Sequence, residues 1–325
     1  GRGARHQKEG ARMKVRFWGV RGSIPSPLTP SRVKSKISAV MERVTLKDIE
    51  SEESRERFLA SLPPWLFGTA GGNSPCVSVV LDDMDEYLVF DCGSGMRELG
   101  IFTSADARKP SRYHVLISHL HWDHLQGLPF FNPAYDPLIR IDFYSPERSL
   151  EKALSAQMYP PYFPVRLKDM GAAKSYHLLE KPLNIGKSAV NFKKMNHPGG
   201  SCAYSVTEDG KRFIYATDTE LSSEDFKNTK ENKSFFQGAD LIIIDCQYTL
   251  DEAVDKYNWG HNSYNVACDF AVNWGIKQMV MFHYDPSYDD QKLYGLLQSA
   301  NQYLKTKNCK GLEVTLAYEG LEISI

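Results

Sequence analysis

Three histidines and an aspartate, His119, His121, Asp123 and His124, fall within six consecutive positions of the stretch SHLHWDHLQG. The apolar run YHVLIS leads into it, so these side chains ride on a loop at the end of a strand. Imidazoles and carboxylates packed this closely carry a large desolvation cost unless a cation shares them. Alternation along an extended loop gives His119, His121 and Asp123 a similar projection and turns His124 elsewhere, so the cluster can face two neighbouring ions. Three later residues complete a donor set: His197 in MNHPGGS, Asp218 in YATDTE and His283 in MVMFHYD, each after a β-like run. Strand ends hold ligands rigidly.

The chain of 325 residues is long enough to bury a large core, and 39 Lys plus Arg against 40 Asp plus Glu leave a net charge of -1. That balance argues against a surface built wholly for nucleic acid, though not against a local patch. Residues 1–12, GRGARHQKEGAR, lack the apolar segment of a secretory signal and read as a flexible leader before the domain of residues 13–325. No run is long and apolar enough for a membrane helix, and a cytoplasmic location is expected. The six cysteines form no C-x-x-C pair, which fits a reducing compartment. Cys202, five positions after His197, is the one thiol to watch near the donor set.

Short β-rich runs recur through both halves: KVRFWGV, CVSVVLD, EYLVFD, YHVLIS and IRIDFYS, then AVNFKKM, AYSVTED, KRFIYAT, DLIIID, QMVMFH and LEVTLAYEGLEISI. SLEKALSAQM and NVACDFAVNWG have helical spacing, the second closing on Gly275. Two sets of strands with interspersed helices imply two face-to-face sheets with helices outside, an α+β sandwich. VLISH and VMFHY both end a hydrophobic strand on histidine, at His119 and His283, which suggests an internal duplication with the site between the sheets. Residues 31–62 break this rhythm. Val33, Ile37, Val40, Met41 and Val44 share a helical face, Thr45 and Ser51 are plausible N-caps, and Pro63-Pro64 ends the run. A helical insertion is expected there, as a solvated cover, a lid or a homodimer contact.

The order H-x-H-x-D-H, His, Asp, His resembles the metallo-β-lactamase superfamily, over essentially the whole chain from Met13 onward. The resemblance implies a four-layer αββα sandwich. It also implies that His119, His121 and His197 hold one ion, Asp123, His124 and His283 a second, and that Asp218 bridges them. Asp91, in LVFDCGSG, matches a position that supports the metal site without binding metal. Lone histidines elsewhere, His114 and His177, read as structural.

An aspartate at position 218 departs from true lactamases, which typically place cysteine there. WGHNSYNVA resembles the G-H-S/T motif of the tRNA 3′-processing endonuclease and cyclic-nucleotide phosphodiesterase branch, with Asn262 intervening before Ser263. The likeness implies that His261 faces the scissile phosphate. VRFWGVRGSIPSP, GGNSPC and HLHWDHLQGLPFFNPAY look more like the small phosphodiesterase-type hydrolases of the superfamily. The expected function is therefore hydrolysis of a phosphodiester in a small nucleotide, cyclic ones included, by a hydroxide shared between two divalent ions. Zinc suits the donor set best, and manganese or iron also fit it. Asp123 is expected to orient the hydroxide, and His261 to donate to the phosphoryl or leaving oxygen. Asn73, with Gly71 and Gly72, is expected on the substrate side. The aromatics of FFNPAYDP and YPPYFPV read equally as base-stacking residues or ordinary packing. RNA 3′-end processing is the alternative enzyme reading, and a diiron oxygen-binding or redox protein is the alternative from another class.

Overall fold

The computed structural model describes residues 13–80, 85–106 and 110–325; the stretch 1–12 expected as a leader lies outside the described residues. Six strands come from the first half of the chain: β1 (Lys14–Gly19), β2 (Cys76–Val80), β3 (Glu86–Phe90), β4 (Arg112–Leu116), β5 (Arg140–Ser145) and β6 (Ala173–Leu178). The second half supplies β7 (Leu183–Ile185), β8 (Ser188–Met195), β9 (Ser201–Glu208), β10 (Lys211–Ala216), β11 (Leu241–Asp245), β12 (Gln278–Phe282), β13 (Glu313–Leu316) and β14 (Glu322–Ser324). They form two seven-stranded sheets, ordered β14-β1-β2-β3-β4-β5-β6 and β13-β12-β11-β10-β9-β8-β7. The last apolar run, expected as one strand, is split at Tyr318–Gly320: β13 completes the second sheet and β14 returns to pair antiparallel with β1.

Each sheet passes from an antiparallel meander into parallel strands, β3 to β6 in one and β10 to β13 in the other. The echo between VLISH and VMFHY does not join equivalent strands of this repeat, since VLISH ends β4, second in its parallel run, and VMFHY ends β12, third in its own. Period-two alternation decides which face each residue serves. In β3, Leu88 and Phe90 point into the core between the sheets, while Val89 joins the outer cluster with Met96 and Leu99. Phe90 meets Phe213 and Tyr215 of the facing sheet, with ring centroids 5.3 Å away in both pairs, and Phe17 meets Phe282 at 6.1 Å. Burying a side chain of this size contributes about 2–3 kcal/mol, so these rings clamp the sheets together.

Helices α1 (Pro30–Met41) and α2 (Glu52–Ser61) occupy the stretch 31–62 that was expected to be helical, and α3 (Pro64–Phe67) follows it before β2. Ser51 caps α2 through Ser54 N–H, and Thr45 forms a capping box with Asp48 on the short turn between α1 and α2. Pro64 begins α3, so the Pro-Pro pair starts a further helical turn. No residue of α1 or α2 is buried, and Ile37 and Met41 of the apolar stripe are largely exposed. The insertion is tied down by Lys36 instead, whose ammonium donates to the carbonyls of Trp65 and Gly68 and to Asp290. Helices α4 (Gly95–Ala105) and α5 (Leu150–Gln157) cover the first sheet, and α6 (Lys230–Phe236), α7 (Leu250–Asp255), α8 (Tyr264–Asn273) and α9 (Asp290–Thr306) accompany the second. Among the described residues no helix is long and apolar enough to cross a membrane.

Candidate metal centre

Parallel strands converge on one edge of the sandwich, and their C-terminal ends build the site, the usual place for function in sheets of this kind. Asp91 follows β3, the His119–His124 loop follows β4, Asp218 follows β10, Asp245 ends β11 and His283 follows β12. Asp91, Asp218 and His283 all adopt left-handed backbone, with φ of 60°, 46° and 61°. Such conformations cost roughly 1–3 kcal/mol each in non-glycine residues and persist where surrounding structure over-determines them. Here they turn the side chains out of the strand and into the cleft.

The two carboxylate oxygens of Asp218 divide the donors into two groups. Oδ1 lies 3.8 Å from His119 Nε2 and 3.7 Å from His197 Nε2, and His197 Nε2 lies 3.1 Å from His121 Nδ1. Oδ2 lies 3.2 Å from His124 Nε2 and 3.1 Å from His283 Nε2. Asp123 Oδ2 completes the second group at 3.3 Å from each of those two nitrogens. Neighbouring ligand atoms around a tetrahedral zinc, with bonds of about 2.0–2.1 Å, sit about 3.3 Å apart. The second group has that size and the first is wider, at 3.1 to 3.8 Å, and each could hold one ion.

The buried nitrogens give an independent test of fit. His119 Nε2 and His124 Nε2 have no hydrogen-bond partner although both are buried, a costly state for a polar atom unless it serves as a ligand. Burial, aided by the neighbouring imidazoles, holds His119 well below its ordinary pKa, and burial also lowers His121 and His197, so these rings favour the neutral form a metal needs. Burial opposes charge on His124 and His283 too, but there the carboxylates win. Asp123, Asp218 and Asp91 hold His124 well above its ordinary value, and Asp218 with Asp123 and Asp245 pushes His283 up to about 10. Asp123 and Asp218, despite burial, are held well below the usual carboxylate range by the histidines. A pocket this rich in carboxylate demands positive charge, which divalent ions supply.

Two buried aspartates orient the rings from behind. Asp91 accepts from His124 Nδ1 at 2.8 Å, from Tyr215 Oη at 2.8 Å and from both the backbone N–H and hydroxyl of Ser118, at 2.7 and 2.8 Å. With Nδ1 held there, His124 turns Nε2 to the centre. Asp245 plays the matching part in the second sheet, and the sequence reading did not include it. Its Oδ2 accepts from His261 Nδ1 at 2.6 Å and lies 3.5 Å from His283 Nδ1, while Oδ1 accepts from Asn262 N–H at 3.0 Å. Asp245, His261 and His283 group closely enough with Asp218 to suggest another cation position. The oxygens of Asp245 are already engaged by protein donors, however, which makes it an orienting group. The signal was available: LVFDC and LIIIDC are the same strand-Asp-Cys pattern.

His261 stacks on His283 with centroids 5.2 Å apart and meets His197 edge-on at the same separation, so it sits over both donor groups. Its loop is pinned. Glu220 accepts from Asn258 N–H at 3.0 Å and Gly260 N–H at 2.9 Å, and the Gly260 carbonyl accepts from His197 Nδ1 at 2.9 Å. Only glycine serves at position 260: φ is +90°, and a Cβ would stand 2.2 Å from His197 Nδ1. On the opposite side, Ser23 N–H donates to Asp123 Oδ2 at 2.8 Å, a backbone contact that no side-chain pattern announces.

Asn73 lies elsewhere in this scheme. Its amide nitrogen donates to Glu319 at 3.1 Å and its amide oxygen accepts from Ser94 at 2.8 Å, so both ends of the side chain brace the loop below Asp123. Gly71 packs its α-carbon against Glu319, where a Cβ would come within 2.3 Å. Cys202 is not among the grouped donors: it is buried in β9 within the core between the sheets, and burial pushes its thiol up to about 12. His114 bonds Glu86 and Tyr144, and His177 bonds Asp142. Of the aromatic loops, Phe131 is in the core, Phe130 meets Phe163 edge-on and Tyr162 is exposed.

Comparison with known proteins agrees with this geometry. The family model described as Beta-lactamase superfamily domain matches residues 86–284, which include every residue of the two donor groups. Ribonuclease Z of Streptococcus gordonii is 21% identical over 277 residues, covering 70% of this chain and 88% of that protein. The metallo-β-lactamase fold protein YhfI from Bacillus subtilis superposes with a TM-score of 0.63 at 18% identity, covering 97% of this chain and all of that one. A diphosphatase from the PhnP family superposes with a TM-score of 0.61 at 15% identity, covering 96% and 98%. With two mixed seven-stranded sheets, flanking helices and His/Asp clusters at their shared edge, the chain belongs to the metallo-β-lactamase superfamily.

Proposed function

We propose that this chain is a metal-dependent hydrolase that cleaves a phosphodiester bond in a small nucleotide. His119, His121 and His197 would hold one divalent ion, Asp123, His124 and His283 the other, with Asp218 shared; zinc suits these donors, and manganese or iron are accepted by the same chemistry. Two such ions supply Lewis acidity, which makes a water nucleophilic near neutral pH and neutralises a phosphoryl oxygen.

The observation that carries the reading is the Asp245–His261 pair. A redox or oxygen-binding centre built on these donors has no need of an imidazole that binds no ion, yet His261 is held at 2.6 Å by a fully buried carboxylate. Burial opposes ionisation of Asp245, but His261 and His283 outweigh it and keep its carboxyl below the usual range. With Nδ1 bonded to Asp245, His261 presents Nε2 toward the partly open side of the centre, and Nε2 has no hydrogen-bond partner among the described residues. Nε2–H can donate to a phosphoryl oxygen as it gains charge and pass its proton to the departing alkoxide. Asp123, fixed by Ser23 N–H and close to His124 and His283, accepts a hydrogen bond from the attacking water and sets its direction. RNA 3′-end processing is a second reading, favoured by the similarity to ribonuclease Z.

His261→Ala tests the proposal. It should keep two ions per chain while kcat for bis-p-nitrophenyl phosphate falls by about two to four orders of magnitude, with a smaller change in KM. His121→Ala should lose metal and activity together. Wild-type turnover by the His261→Ala protein would make the histidine structural and remove the observation that favours a hydrolase over a redox centre, no turnover by the wild type would remove the hydrolase reading, and a precursor tRNA assayed beside cyclic nucleotides separates the two substrates.

A further inference from the structure

Two of the five tryptophans are strongly exposed, and both belong to loops of the metal centre. Trp122 is 69% exposed and stands between His121 and Asp123; Trp259 is 60% exposed and stands two residues before His261. Trp18 and Trp274 are buried and Trp65 is half-buried. An indole left in water forgoes a large burial gain, so rigid exposed indoles at one site call for a partner.

Both are held from either side. Trp122 lies in a short turn whose carbonyl accepts from Leu125 and Gln126 N–H, at 3.0 and 2.9 Å, and its chain neighbours are donor-group residues. The residues flanking Trp259, Asn258 and Gly260, both donate their N–H to Glu220. Lys256 Nζ lies over the Trp259 ring, 5.8 Å from its centroid, and over Tyr248 at 4.1 Å. One imidazole spans the gap between the two loops, since His197 meets His121 at Nε2 and the Gly260 carbonyl at Nδ1. His121 itself is exposed, and beyond it a Cβ added at Gly200 would meet nothing within 4 Å, so the centre opens to solvent on this side.

We infer that Trp122 and Trp259 form an aromatic rim that takes the base of a nucleotide whose phosphate lies at the metal centre. The inference rests on the phosphodiesterase reading for the position of the phosphate. Pinned backbone beneath each indole means that little conformational freedom is lost on binding, and a flat base offers the one shape that covers an indole face without a specific hydrogen-bond pattern.

The test titrates the zinc-loaded full chain with adenosine 5′-monophosphate and, separately, ribose 5-phosphate, reading affinity by calorimetry in every variant and indole emission in the wild type. Wild-type protein should bind the nucleotide about ten- to a hundredfold more tightly, with quenching of indole emission. In the double variant Trp122→Ala/Trp259→Ala that ratio should collapse toward one, and in Trp122→Phe/Trp259→Phe most of it should remain. Melting by circular dichroism checks that the variants fold, as expected for exposed positions. A wild-type ratio near one, or a ratio unchanged in the double alanine variant, overturns the rim. If the ratio behaves as expected but bis-p-nitrophenyl phosphate is not turned over, the rim stands and the hydrolase reading falls.

Discussion

Asp91 and Asp245 do similar work from different strands of the two sheets, Asp91 just after β3 and Asp245 at the end of β11. Each stands at the end of an apolar strand, each precedes a buried cysteine, and each accepts from the Nδ1 of a histidine, His124 in one case and His261 in the other. The difference lies in what the second nitrogen meets. His124 is completely buried and turns Nε2 between Asp123 and Asp218. His261 remains partly open, with a side chain 10% exposed. On the proposed mechanism, the same device would fix a ligand in one sheet and aim a proton donor in the other. What separates them is solvent access, since only a ring that substrate can reach can exchange a proton with it.

Substitution of each aspartate should expose that difference. Asp245→Asn should retain two ions while kcat falls by about two to four orders of magnitude, because Asn holds the ring but no longer balances a proton on it. Metal analysis beside kinetics checks this; loss of metal would make Asp245 a support of the His283 ligand first. Asp91→Asn should act through metal, weakening affinity about 10- to 100-fold in a chelator competition, with activity restored by excess zinc. A kcat that stays low at saturating metal would erase the distinction between the two aspartates. The smallest effect is expected for Tyr215→Phe, which removes one of the four donors to Asp91, leaves the other three in place and should cost about 0.5–1.5 kcal/mol in urea unfolding. A cost near zero would mean that the other three donors suffice.

The two halves of the site differ as much in legibility. His119, His121, Asp123 and His124 could be read directly because one loop carries them all, and a contiguous run of such donors is seldom stable in a folded interior without a cation to share. His197, Asp218 and His283 were legible through their position after apolar runs. Asp245 was not, although LIIIDC repeats LVFDC, because an aspartate at a strand end has many ordinary uses and only its partner, sixteen residues on in sequence, gives it a role. Ser23 was beyond reach for a different reason: its contribution is a backbone N–H, which every residue except proline has. Asn73 was placed on the substrate side from its neighbours, and Glu319, 246 positions away, claims its amide.

The insertion shows the same limit. Its helices and two of its caps follow from local spacing, since Ser51 accepts from Ser54 N–H and Asp48 accepts from Thr45 N–H, each three residues away. Its apolar stripe reads as one face of a solvated cover, a lid or a dimer contact, and Ile37 and Met41 are exposed as such a face would be; that Lys36 anchors the segment by reaching Asp290 has no local signal.

Local physics, which is hydrophobic period, capping chemistry and the desolvation cost of clustered donors, determined the strands, the helices and the presence of a cation site. Those are interactions over a few residues, so the order of residues contains them. The division of the donors by the two oxygens of Asp218, the split of the last apolar run between two sheets and the pairing of Asp245 with His261 were decided by tertiary structure. Each depends on which strand ends lie side by side once the aromatic core has clamped the sheets, and that packing joins residues that nothing in the linear order brings together.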